Sequence, residues 1–296
     1  VSTPVFVEPD AEAMAAALEA AAQQLDDEGG SLAWGIFRRG GPARTVNGEG
    51  PDLDAPFGAL LPELADTAIA DRTCRQALTM STGFTKDDPW ADRMEAMTPA
   101  ELTDWLHRGA IACAPADTGY EYSNLGYALL GMVAEAVTGR AFTELVSNEI
   151  FDPLKLTRTG FDHTDFPDLA TGFRVDLGGG LHPAELTGPG VFSPIGGAIS
   201  PPYDIRPLMV APLQTSDHHA ETLSYGYGLE TRLDTRFGRV VCHSGGYPGY
   251  GSHMRWFPDL GLSLVVFGNT TYYPAQRVVQ DAFDLGWATA TGRQGT

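Results

Sequence analysis

The chain has 296 residues, 43% of them hydrophobic and 19% charged, enough to bury a large core in one or two domains. Its 19 lysines and arginines stand against 38 aspartates and glutamates, and the formal net charge of −19 repels phosphate backbones and argues against a nucleic-acid partner. No uninterrupted run of about 18 apolar residues occurs, which excludes a membrane-spanning helix. Cys74, Cys113 and Cys242 are odd in number and lack metal-ligand spacing, the pattern of reduced, buried thiols. The first ten residues hold no basic stretch followed by an apolar core, so no secretory signal is expected, and a soluble, cytoplasmic protein is.

Residues 10–27 read as an amphipathic helix. Asp10 can cap it, Met14, Leu18, Ala21 and Leu25 recur on one face, and Gly29-Gly30 ends it. Ser31–Phe37 reads as a strand, Arg38–Pro42 as a turn and Ala43–Gly48 as a partner strand. Residues 51–70 are loop-like. Short helices follow over Thr73–Met80 and Pro99–Arg108, the second with Thr98 as cap and Leu102, Trp105 and Leu106 as apolar positions. The most regular helix begins at Ser123 or Asn124. Leu125, Leu129, Met132, Val133, Ala136 and Val137 form its apolar face, and Gly139 stops it. Phe142–Ile150 reads as a further short helix, and residues 160–220 are rich in Gly and Pro with weak periodicity. The last third reads as four strands, Tyr225–Leu233, Arg239–His243, Ser252–Phe257 and Leu262–Asn269, and a closing helix, Ala275–Thr291.

The N- and C-terminal strands can join one antiparallel sheet flanked by the first and last helices. The expected fold class is therefore α/β plus α: a discontinuous sheet domain over 1–50 and 221–296, with an inserted, mainly helical domain over 51–220.

Two runs carry chemistry. In Tyr122-Ser123-Asn124 a phenol stands just ahead of a helix N-terminus. It can act as a base if nearby positive charge favours the phenolate, and the Asn124 amide can hold a carbonyl. The plain structural alternative has Ser123 as N-cap, Tyr122 packing on Tyr127 as a hydrophobic staple, and Asn124 as a first-turn polar residue. In His243-Ser244-Gly245-Gly246 an imidazole ends a strand beside two glycines, which let a ligand approach the backbone closely. Backbone N–H groups there can complete an oxyanion hole. The alternative is a Gly-rich hairpin with a surface histidine. Asp217-His218-His219 and His182-x-x-Glu185 have no third ligand at supporting spacing, so neither a metal nor another cofactor is expected.

The longer runs Glu121-Tyr-Ser-Asn-Leu-Gly-Tyr-Ala-Leu-Leu-Gly131 and His243–His253 resemble the second and third boxes of the serine β-lactamase and penicillin-binding-protein family, in its class C β-lactamase and esterase-like branch. There Tyr-x-Asn can replace Ser-Asp-Asn, and His-Ser/Thr-Gly can replace Lys-Thr-Gly. The resemblance spans about residues 30 to 290. It implies a two-domain β-lactamase-like fold, Tyr122 and His243 as catalytic residues, and Asn124, Ser244, Gly245 and Gly246 as substrate-binding residues. The ligand it implies is a small-molecule or peptide-like compound with an amide, ester or β-lactam carbonyl. Leu78–Phe84 and Gly196–Ser200 resemble structural segments of the family, which makes Ser81 a turn residue.

The family's first box, Ser-x-x-Lys, carries the nucleophile, and this sequence has none. Its two lysines, Lys86 and Lys155, are preceded three residues earlier by Gly83 and Asp152. Where the family places a loop and a buried helix opening with that box, Gly48-Glu49-Gly50 runs directly into Pro51-Asp52. Three readings stay open on the residues alone: a hydrolase, a pseudo-hydrolase that binds a small molecule or peptide in the retained cleft, and non-covalent acid/base chemistry by Tyr122 and His243. Neither the substrate nor the oligomeric state can be read from the sequence.

Overall fold

Eight strands organise the structure, a computed structural model that describes residues 7–38, 51–84, 96–109, 111, 113–205 and 223–293. They are β1 (Leu32–Arg38), β2 (Phe173–Val175), β3 (Leu181–Pro183), β4 (Leu223–Gly226), β5 (Leu229–Asp234), β6 (Gly238–Tyr247), β7 (Tyr250–Phe257) and β8 (Leu262–Gly268). Six of them form one sheet in the order β1-β8-β7-β6-β5-β4, and β2 and β3 form a separate hairpin. Every pairing in the large sheet is antiparallel. β1 runs along β8 from Leu32 opposite Gly268 to Arg38 opposite Leu262, so the two ends of the chain meet in this sheet. The strand expected at 43–48 lies outside the described residues.

Helices Ala11–Asp27 and Ala275–Thr291 cover one face of the sheet. The first starts where the Asp10 carboxylate accepts the Ala13 N–H at 2.8 Å, and it buries Met14, Leu18 and Leu25. The last buries Val279, Ala282 and Phe283. Phe283 of the last helix packs on Phe237 and Phe257 of the sheet region, with ring centroids 4.4 to 5.8 Å apart and Phe257 edge to face with both others. This is the core of the sheet region.

A second core surrounds helix Asn124–Thr138. Ser123 caps it by accepting the Gly126 N–H, and Gly139 closes it in the left-handed region at φ 66°. Its buried Leu125, Ala128, Leu129, Met132 and Val133 pack against Phe57, Leu61, Phe84, Leu102 and Phe192. Residues 51–70, expected as loop, contain the short helices Phe57–Leu60 and Pro62–Leu64, because Phe57 and Leu64 have this core to bury into. Helices Cys74–Leu78 and Pro99–His107 both open on capping boxes, Thr73 with Gln76 and Thr98 with Glu101. No helix among the described residues is long and apolar enough to cross a membrane.

The C-terminal strands differ from the sequence reading in three places. The run 225–233 is two strands, β4 and β5, joined by a two-residue turn at Tyr227 and Gly228, with φ of 49° and 94°. Positive φ at both central positions is the type I′ geometry that suits a twisted hairpin. The turn docks on helix Cys74–Leu78, where the Tyr227 N–H donates to the Leu78 carbonyl at 3.2 Å. β6 continues past His243 to Tyr247, and β7 starts at Tyr250 rather than Ser252. Pro248-Gly249 links them, with Gly249 at φ 89°, the arrangement that a type II turn requires.

Candidate active site

A cavity of about 1340 Å³ lies between the helical region and the sheet face turned away from helices Ala11–Asp27 and Ala275–Thr291. The sheet contributes Ala33 of β1, Met254 of β7 and Phe267 of β8 to its wall, and Phe161 and Ile199 stand among the residues lining it elsewhere. Tyr122, Asn124, His243, Ser244, Gly245 and Gly246 all line this one space.

Local structure explains how each arrives there. The Glu121 N–H donates to the Met80 carbonyl at 2.9 Å and the Ser123 N–H to the Met80 sulfur at 3.2 Å, which ties the segment ahead of the helix to the turn at 80–81. Ser123 is extended, at φ −144° and ψ 115°, and the helix begins only after it. Asn124 is therefore a first-turn residue and Tyr122 stands outside the helix. Ser81 is buried and donates to Asp117 Oδ1 at 2.9 Å, the behaviour of a turn residue.

His243 lies on β6 where the neighbouring strand stops. β5 pairs with β6 only as far as Glu230 opposite Cys242, so residues 243–247 carry an edge that β5 does not cover. The Tyr122 and His243 ring centroids are 6.3 Å apart. Tyr225 lies behind both, edge-on to Tyr122 at 6.2 Å and to His243 at 6.3 Å, and Tyr120 lies 5.8 Å from Tyr225. Tyr122 thus packs against Tyr225, on a strand 103 positions later in the chain, as well as against His243. Tyr120, Tyr225 and the cavity-lining Glu230 were not singled out from the sequence, and no local motif marks them.

Electrostatics follow from burial. Desolvation lowers the His243 pKa below the ordinary imidazole value, against a smaller opposing effect of the Glu230 charge. Desolvation also raises the Tyr120 phenol to about 12. Ser244 shares its hydroxyl with His253 Nδ1 at 2.8 Å, a contact made because the two residues are opposite each other in the β6–β7 register. Burial, followed by the Arg255, Arg232 and His243 charges, holds His253 down to about 3. It is an uncharged structural imidazole.

That shift has a thermodynamic consequence. In the unfolded chain His253 takes up its proton near pH 6.5, and in the folded chain only near about 3. Between these values the unfolded state binds more protons. The stabilisation is complete above 6.5 and is lost as pH falls, by at most about 1.4 kcal/mol per pH unit for one group. Denaturant midpoints measured at pH 6.5 and 4.5 should therefore fall less steeply in His253→Gln than in the native protein. Equal slopes would remove His253 as the source.

Similarity to known proteins agrees with this geometry. A family model described as Beta-lactamase matches residues 41–286. Among curated proteins the chain is similar to "Unguisins hydrolase ungD'" of Aspergillus campestris (strain IBT 28561), 27% identical over 202 residues, which are 59% of this chain and 38% of that protein. The chain thus spans well under half the length of that relative. Among solved structures it is similar to a D-amino acid amidase from Ochrobactrum anthropi SV3 complexed with L-phenylalanine amide, with TM-score 0.70 and 19% identity over 94% of this chain and 98% of that one. It is also similar to a class C beta lactamase from Rhodobacter sphaeroides, with TM-score 0.69 and 17% identity over 92% of this chain and 98% of that one. At these identities the structural likeness is one of fold.

Proposed function

The chain belongs to the beta-lactamase family, and from that membership we propose that it holds a small amide, ester or lactam reversibly in the Tyr122–His243 cleft and does not pass through an acyl-serine. The observation that carries this reading is the meeting of Tyr122, Asn124 and His243 on the wall of one cavity in a chain without Ser-x-x-Lys. In this reading the Asn124 side-chain amide donates to the ligand carbonyl. The part of β6 at 243–246 that β5 does not cover takes a peptide-like backbone, as an extended ligand adds to a sheet edge. Tyr122 and His243 complete the polar wall, and the apolar side chains deeper in the cavity receive the body of the ligand.

The test is titration with an uncharged probe, N-acetylphenylalanine amide, followed by calorimetry, with the probe recovered and assayed for hydrolysis. Saturable binding and intact probe are expected. Asn124→Ala should weaken binding by about tenfold, the loss of one hydrogen bond to a carbonyl. Release of the free acid would establish a hydrolase instead, and absence of binding would remove the cleft reading.

A further inference from the structure

We propose that the Tyr122–His243 end of the cavity seats an organic ammonium group, so that the ligand is a cationic amide or ester. The inference rests on the reading that the cleft holds a carbonyl compound, and it assigns the charge at one end of that compound.

The first observation is the density of aromatic rings. Tyr120, Tyr122, Tyr225 and His243 are linked by ring separations of 5.8 to 6.3 Å. Tyr120 and Tyr122 are 38% and 36% exposed, whereas Tyr225 is buried behind them. A neutral phenol ring carries a negative face that attracts a cation, more strongly where water is partly excluded. Burial keeps Tyr120 and Tyr225 protonated at neutral pH by raising both phenols.

The second observation is a carboxylate at the same place. Glu230 lines the cavity together with Tyr122 and His243. It is opposite Tyr225 across the β4–β5 hairpin, and its charge acts on both Tyr120 and His243. Among the described residues the Cys242 thiol donates to it at 3.7 Å, a weak and uncharged partner. Arg232, two residues along β5, acts on Cys242, His253 and Arg255. Arg158, which also lines the cavity, is held by Asp168. His243 adds no positive charge at neutral pH, because burial lowers its pKa. An anionic group placed here would meet Glu230, and an ammonium would meet Glu230 and the Tyr122 ring together, with Tyr225 packed edge-on behind that ring. The formal charge of −19 draws cations toward the protein from a distance.

The experiment compares acetylcholine with 3,3-dimethylbutyl acetate, the same ester with carbon in place of the charged nitrogen. Both are titrated into the full chain by ligand-observed NMR. Acetylcholine should bind about 3- to 30-fold more tightly, the range that cation–π attraction at a partly desolvated site supports. Glu230→Gln and, separately, Tyr122→Leu should each narrow that ratio, and circular dichroism checks that each variant is folded. Equal affinities, or tighter binding of the uncharged ester, would overturn the ammonium seat and leave the carbonyl-binding reading standing. Failure of both esters while N-acetylphenylalanine amide binds would overturn it too. Failure of all three probes would sink the cleft reading itself.

Discussion

After incubation with penicillin or with a fluorophosphonate, the intact mass of the protein should be unchanged. A hydroxyl attacks a carbonyl or phosphoryl centre only when a base takes its proton, and the new negative charge needs donors aimed at it. Ser81, Ser123 and Ser244, three serines at or near the two motifs, are all engaged. Ser81 is buried and donates to Asp117. Ser123 is buried and accepts the Gly126 N–H as a helix cap. Ser244 is the instructive case, because its Oγ lies 2.8 Å from His253 Nδ1. An imidazole held down to about 3 is nevertheless a feeble base at neutral pH. Transfer of the serine proton to it would create a buried cation near Arg255 and Arg232, the charges that already depress it. The fluorophosphonate is uncharged, so repulsion by the acidic protein does not account for its failure to react. Mass spectrometry with peptide mapping reads the result directly. A stoichiometric adduct on Ser244 would reveal a relocated nucleophile and overturn the reversible-binding proposal.

Phe283→Ala should destabilise the fold by about 3–5 kcal/mol, a large part of the 5–15 kcal/mol that holds a typical domain together. Phe283 has no exposure and touches both Phe237 and Phe257, with centroids 5.8 and 4.4 Å away. Its removal opens a cavity between the last helix and the sheet, where backbone on both sides limits relaxation. Leu285 on the same helix is 42% exposed, and Leu285→Ala should change stability by less than about 0.5 kcal/mol. Denaturant midpoints of the two variants make the comparison. Similar shifts would mean that the phenylalanine cluster does not organise this core.

The longer helices were legible because their signals are local, whereas the short ones at 57–60 and 62–64 form on a core that the sequence does not show. Asp10, Ser123 and Gly139 mark helix ends through contacts within a few residues, and the apolar spacing between them repeats at the helical period. Strand limits were less legible, because a strand ends where its partner ends. β6 runs on to Tyr247 because β7 pairs with it that far, and nothing in the Gly-rich segment itself says so. The break at Tyr227-Gly228 was hidden for a related reason. A tyrosine at positive φ is unusual, and here its turn is held by the Leu78 carbonyl and Arg75 of a helix far away in the chain.

The candidate site divides the same way. Tyr122, Asn124 and His243 stand out in the sequence because each lies in a compact motif. Whether they share a cavity, and who their neighbours are, depends on contacts between distant segments. Tyr225 and Glu230 reach the site through the β4–β5 hairpin, and the Ser244–His253 contact exists because of strand register. The sequence by itself determined the family, the longer capped helices and the types of side chain available for chemistry. Only the tertiary structure decided which of those side chains meet, and with what charge, because desolvation and Coulomb fields depend on the atoms packed around a group and not on its neighbours along the chain.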